Sequence, residues 1–190
     1  MKKRYVRQIM SAKEMDLALS RIAAEITQSH ADLSQTVLIG IRRRGVPLAE
    51  RLRTKIENLA NKPVPLGVLD INFYRDDLSM VDSQPVVEES RLDFDVADKS
   101  VLLVDDVLYT GRTTRAALDS VNDYGRPRRV ELVVLIDRGH RELPIQADYV
   151  GRYVETAANE VVEVRVPSID EEEGVFLTTK ELLAGADGRN

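Results

Sequence analysis

The segment VLLVDDVLYTGRTT, residues 101 to 114, constrains the fold of this 190-residue chain more than any other stretch. Val101, Leu102, Leu103 and Val104 are apolar in succession, which predicts a strand buried on both faces. Such a strand belongs in a mostly parallel sheet with helices on each side. Asp105 and Asp106 follow at its carboxyl end. Val107, Leu108 and Tyr109 then lead into Thr110, Gly111, Arg112, Thr113 and Thr114, a turn that opens a helix predicted over Thr113–Tyr124. Gly111 permits positive φ and close backbone approach. The threonine hydroxyls and successive N–H groups of such a turn converge on a helix N-terminus, which attracts anions. One short segment thus offers donors for a phosphate beside acceptors for sugar hydroxyls. A lone Asp-Asp could simply end a strand, but Thr-Gly-Arg-Thr-Thr in register behind it favours the phosphate cradle.

The rest of the chain alternates strands and helices around this segment. Ser11 to His30 predicts a helix, opened by a capping box of Ser11 and Glu14. Strands are predicted over Thr36–Ile41, Val64–Ile71, Val130–Ile136, Asp148–Val154 and Val161–Val166, and a helix over Pro47–Ala60. Between Asn72 and Ser100 the periodicity fades and acids accumulate, as expected of a functional lid or extended hairpin. From Pro167 the chain is acidic, with Asp170 to Glu173 in a row, and is expected to form a tail or extension over 167–190 beyond a domain spanning 1–166. Sheets of this kind bind ligands beyond the carboxyl ends of their strands.

Composition removes several classes of function. Asp and Glu outnumber Lys and Arg, 32 to 27, so nucleic-acid contact requires a local basic patch. There is no cysteine, which excludes disulfides, thiolate metal sites and a cysteine nucleophile and suits a cytoplasmic protein. No apolar run approaches the roughly 20 residues that span a bilayer, so no membrane association is expected. The start MKKRYVRQIM lacks the apolar stretch of a signal peptide. His30 and His140 lie far apart and suggest no zinc motif. Gly40 and Gly45 have the spacing of a nucleotide-binding P-loop, but Val46-Pro47 stands where Lys-Ser/Thr is required. Val-Asp-Asp also occurs in phosphorylation-receiver domains, but there the acids sit near the domain's start rather than in mid-chain.

Residues Val101–Thr114 closely resemble the phosphoribosyl-pyrophosphate signature of the type I phosphoribosyltransferases. The resemblance implies an α/β fold of that type: a mostly parallel central sheet flanked by helices, with a small hood over about 137–166 and a flexible lid hairpin. It implies that Asp105 and Asp106 contact the ribose hydroxyls and that Leu108–Thr114 wraps the 5-phosphate. GIRRRG, residues 40 to 45, corresponds to the family's pyrophosphate loop, with Arg42, Arg43, Arg44 and Gly45 as candidate contacts. Neighbouring side chains cannot all face one ligand, and Arg44 is the first choice from its match to the family's Thr-Arg-Gly. Asp105, Asp106 and Arg44 are the candidate catalytic residues. Mg²⁺ is the expected cofactor, held mostly by substrate and water oxygens, with Asp105 and Asp106 as ligands directly or through water. No residue is an obvious general base; Asp106 is a candidate.

Two further segments, LDINFYRDDLS and DRGHRELPIQADYVG, resemble the PyrR family, bacterial regulators of pyrimidine-operon attenuation that are also uracil phosphoribosyltransferases. This resemblance runs from about residue 11 to Val166. It implies the substrates phosphoribosyl pyrophosphate and uracil, the product UMP, a leader mRNA partner, and a homodimer or larger homo-oligomer. It places Tyr74, Arg75, Asp76 and Asp77 on the lid, and Asp137, Arg138, Gly139 and Val162 at the uracil or UMP site. It assigns RNA contact to Ser20, Arg21, Arg141 and Arg152, while Ala24, Ser29 and Gln146 depart from the family's usual basic residues. Arg126, Arg128 and Arg129 supply further cations for a patch, and His140 suits a structural role. A regulator with vestigial catalysis, a transferase without RNA regulation and a purine-type transferase are the competing readings.

Overall fold

The structure is a computed structural model that describes residues 6–71 and 90–181. Its elements are β1 (Arg7–Ser11), α1 (Ala12–Ser29), β2 (Thr36–Ile41), α2 (Gly45–Ala60), β3 (Leu66–Leu69), β4 (Ser100–Leu108), α3 (Arg112–Asp123), β5 (Arg129–Asp137), β6 (Tyr149–Tyr153), β7 (Glu160–Arg165) and β8 (Gly174–Thr179). Five strands form a sheet in the order β3-β2-β4-β5-β6, and every neighbouring pair is parallel.

The burial of β2 and β4 follows from what covers each face. Leu38, Leu102, Val104, Val133 and Leu135 share one core with α1 residues such as Ile22 and α2 residues such as Leu52. Val37, Ile39, Val101, Leu103, Leu132 and Val134 share the other with Ala116, Ala117 and Val121 of α3. Alternate residues of one strand therefore reach opposite cores, and an unbroken apolar run is needed to fill both. The capping box at the start of α1 is present: Glu14 N–H donates to Ser11 Oγ, and Ser11 N–H donates to Glu14 Oε2 at 2.8 Å.

Three elements have bounds two or more residues from the sequence expectation. β4 does not stop before the acids; it continues through Asp105 and Asp106 to Leu108. Its pairing with β5 persists to Leu108↔Asp137, whereas its pairing with β2 ends at Gly40↔Val104. The acids thus stand on a strand with a neighbour on one side and an open crevice on the other, at the point where the chain order reverses. β3 spans only Leu66–Leu69, and α2 begins at Gly45, two residues before Pro47.

The second sheet is the hood, antiparallel in the order β1-β8-β7. The segment expected to be an acidic tail supplies its central strand: β8 is buried from Gly174 through Thr178. β6, placed in the hood by the sequence reading, is instead the edge of the main sheet. The residues expected to carry the lid, Tyr74 to Asp77, lie outside the described residues. The flanks of that stretch are fastened together, with Val68 N–H donating to Arg91 O at 2.9 Å and Asp70 N–H to Ser90 Oγ at 2.9 Å.

Candidate active site

Asp105 is buried and Asp106 half-buried at the crevice beside β4. Each carboxylate folds back on the next residue: Asp106 N–H donates to Asp105 Oδ1 and Val107 N–H to Asp106 Oδ1, both at 2.9 Å. Burial pushes the Asp106 carboxyl above its ordinary range, opposed by its hydrogen bonding with Asp105 and by the positive charge of Arg44. The site thus holds two adjacent acids, one of them with enhanced basicity.

Immediately beyond, the chain turns through Thr110 and Gly111 into α3. Gly111 has φ +91°, the left-handed conformation that a glycine adopts without penalty. Gly111 has no side chain to cap α3; Arg112 N–H donates to Thr110 Oγ1 at 3.3 Å, and the next N–H groups, of Thr113 and Thr114, open the helix toward an anion. The turn is fixed from above: Glu142 N–H and Leu143 N–H donate to Thr110 O at 2.9 and 3.2 Å, and Arg112 Nε pairs with Glu142 at 2.7 Å.

The arginine loop lies against the acids because Gly45 has no side chain. A Cβ on Gly45 would overlap the Val104 carbonyl and press on the Asp105 Cα. Arg44 therefore stands near Asp106, and the charges of Asp106 and Glu163 help raise its pKa, after the larger effect of Asp170. Arg42 and Arg43 face a different space, a cavity of about 350 Å³ lined also by Val46, Pro47, Glu50, Val68, Ser168 and Ile169. The three arginines thus divide between the acid pair and this neighbouring cavity, as expected for adjacent side chains.

The residues expected at the base site divide between frame and core. Arg138 is buried; its Nη2 donates to Glu160 O at 2.7 Å and its Nε to Thr156 Oγ1 at 3.2 Å. Asp137 accepts from Gly139 N–H at 2.9 Å and pairs with Arg141. Gly139 has φ +71° with open space around its Cα. His140, also at positive φ, hydrogen-bonds Thr156 O at 2.8 Å and meets the Tyr109 ring edge-on. Val162 is buried in the core shared with α1 and α2. Sequence reasoning missed Thr156, Glu160 and Asp170, whose importance depends on the hood folding back over the sheet.

The residues assigned to RNA contact are engaged with the chain itself. Arg21 donates to Glu25, Val150 O and Gly151 O, at 2.6 to 2.8 Å. Arg152 donates to Ile9 O at 2.7 Å and pairs with Glu14 at 3.1 Å. Glu14 in turn is lowered to about 2, chiefly by the Ser11 amide and hydroxyl. Ser20 accepts from Lys55 Nζ at 2.9 Å, and Arg141 donates to Tyr109 O and Ile145 O at 2.8 and 2.9 Å. Among the described residues no helix is long and apolar enough to cross a membrane.

Comparison with known proteins agrees with this assembly. The model of the phosphoribosyl transferase domain family matches residues 6–169. The bifunctional protein PyrR of Thermus aquaticus is 53% identical over 178 residues, covering 94% of this chain and 98% of that protein. The bifunctional protein PyrR of Pelotomaculum thermopropionicum is 54% identical over 170 residues, covering 90% of this chain and 94% of that protein. A Trypanosoma cruzi hypoxanthine phosphoribosyl transferase has the same fold, with a TM-score of 0.74 over 97% of each chain at 18% identity. Residues 6–169 are therefore a phosphoribosyl transferase domain, and the chain belongs to the PyrR family.

Proposed function

We propose that the protein transfers the phosphoribosyl group of phosphoribosyl pyrophosphate to uracil, yielding UMP and pyrophosphate, and that it binds pyrimidine-operon leader mRNA in response to UMP. The observation that supports the transferase most directly is the placement of Asp105 and Asp106 between the N-terminus of α3 and the Arg44 loop. The bond from the anomeric carbon to pyrophosphate breaks, the bond to uracil N1 forms, and positive charge develops on the ribose. Asp105 and Asp106 hold the ribose hydroxyls and favour that charge, and Arg44 stabilises the departing anion. Asp106, whose basicity burial raises, is suited to accept the N1 proton.

The donor set fits Mg²⁺ in a limited way. Among the described residues no cluster of three metal-binding side chains exists, and the two acids are hard oxygen donors. Asp105 and Asp106 would hold the ion with substrate and water oxygens completing its shell, and it would neutralise pyrophosphate charge. A panel of nucleobases with phosphoribosyl pyrophosphate tests the reading: UMP formation with uracil and none with purines is expected. Turnover of hypoxanthine or guanine in preference to uracil would reject it.

One observation favours a second reading, a transferase without RNA regulation. Arg21, Arg141 and Arg152 already donate to backbone or carboxylate groups of the chain, so phosphate contact must displace or share those partners. A gel shift with the cognate leader RNA at low and high salt separates the two. UMP-enhanced, salt-sensitive binding supports regulation, and no shift at low salt removes it.

A further inference from the structure

Two of the acids after Pro167, Asp170 and Glu173, reach the arginine loop and α2. Asp170 Oδ1 accepts from Arg44 Nη2 at 2.8 Å and Oδ2 from Arg44 Nε at 3.2 Å, a two-point grip on the guanidinium. Asp170 is itself held by backbone. Its Oδ2 accepts from Val166 N–H at 3.0 Å, while Val166 O accepts from Asp170 N–H at 2.8 Å and Ile169 N–H at 3.0 Å. Val166 is buried and Ile169 packs against the core, so this reciprocal turn has little freedom. Next to it Glu173 pairs with Arg51 of α2 at 2.6 Å, fastening the same hood loop a second time.

We infer that Asp170 is a positioning residue: it presets the Arg44 guanidinium beside Asp106 so that its remaining N–H groups meet the departing pyrophosphate without reorganisation. An arginine carries considerable rotamer freedom, and a carboxylate fixed by its own backbone removes that freedom before substrate arrives. Using one edge of the guanidinium for orientation leaves the others for the ligand, since five N–H donors are present. The side chains are only partly shielded, 35% exposed for Arg44 and 18% for Asp170, so the pair is reachable from the crevice. The inference rests on the leaving-group role of Arg44 stated above and extends it to a residue outside the sugar and phosphate contacts.

A double-mutant cycle with Asp170→Asn and Arg44→Ala tests this directly. Asparagine retains an oxygen for the Val166 N–H and removes the charge that grips Arg44. D170N is expected to lower kcat/KM for phosphoribosyl pyrophosphate by about tenfold, the scale on which a supporting partner acts on a binding group. It should weaken the binding of inorganic pyrophosphate with Mg²⁺, measured by calorimetry, in the same proportion. In the R44A background D170N should change kcat/KM by less than about twofold, because the group through which it acts is gone. A D170N loss that multiplies fully onto R44A, or a D170N enzyme equal to the parent, overturns the inference. If R44A is impaired and D170N is not, the positioning role alone fails. If R44A turns over like the parent, the leaving-group role fails and carries the inference with it. Thermal melts of each variant identify a purely structural effect, which would lower stability while sparing pyrophosphate affinity, and that outcome also overturns the positioning role.

Discussion

The guanidinium carbon of Arg138 lies 4.1 Å above the centre of the Tyr109 ring. Tyr109 directly follows the acid strand, and Arg138 carries the contact on to Glu160 of β7, so this stack joins the turn after the acids to the hood. Lysine has neither the planar face nor the paired donors that this position uses. Arg138→Lys is therefore expected to cost about 1–3 kcal/mol of stability, the range for losing a buried charge-assisted hydrogen bond. It should also raise KM for uracil more than it lowers kcat. Chemical denaturation and steady-state kinetics check both, and an R138K protein with parental values would show the stack to be incidental.

Gly45 brings the arginine loop into contact with β4. Alanine there would drive its Cβ into the Val104 carbonyl, backbone that cannot move without breaking the sheet. Gly45→Ala should cost more than about 3 kcal/mol or displace the loop, in either case removing most activity. A G45A enzyme with normal melting and normal turnover would show that the loop has room to withdraw.

Asp106 predicts opposite effects on activity and stability. Asp105→Asn and Asp106→Asn together should abolish transfer with the fold intact, and D106N alone should lower kcat by at least about 10²-fold. Because burial raises the Asp106 carboxyl, the folded protein holds this proton after the unfolded chain has released it. Its contribution to stability is complete below the unfolded pKa and is lost as pH rises through the folded value. D106N, with no charge to bury, should melt higher than the parent at neutral pH, and the advantage should vanish in acid. Equal melting temperatures at both pH values would contradict this.

His30 lies at the opposite end of the sheet. Its Nδ1 is 3.2 Å from Thr36 Oγ1, and its Nε2 is 3.1 Å from Glu131 and from Arg129 Nη2. Burial, with help from Arg129 and Arg128, lowers its pKa although Glu131 opposes. The folded protein therefore binds this proton less readily than the unfolded chain, and stability falls as pH drops through about 6.5, the unfolded value. His30→Gln should flatten that part of the pH profile at a cost near 1 kcal/mol at pH above 7. An unchanged acid slope in H30Q would assign the loss to other groups.

What the sequence revealed depended on how local the determinants were. The strand, the acid pair and the turn that opens α3 were legible because one run of adjacent residues carries the patterning and the glycine. The end of β4 was misplaced because aspartates are poor strand formers, and only pairing with β5 up to Leu108 keeps them extended. Asp170 looked like part of a solvated acidic run, since its partner Arg44 is distant in sequence and nothing near it signals the turn that fixes it. Arg138 was picked for its place after a strand end, but which way its guanidinium points is set by Thr156 and Glu160, across a loop whose path sequence does not specify.

The order of strands in the hood has a consequence for synthesis. The strands of the main sheet are complete by Tyr153, whereas β7 and β1 are bridged through Gly174–Thr179. On the ribosome the parallel strands can pair while the roof still lacks its middle plank, and Arg44 has no Asp170 to meet until the stretch leading into that plank emerges. The setting of Arg44 is thus completed only after every strand of the parallel sheet has emerged.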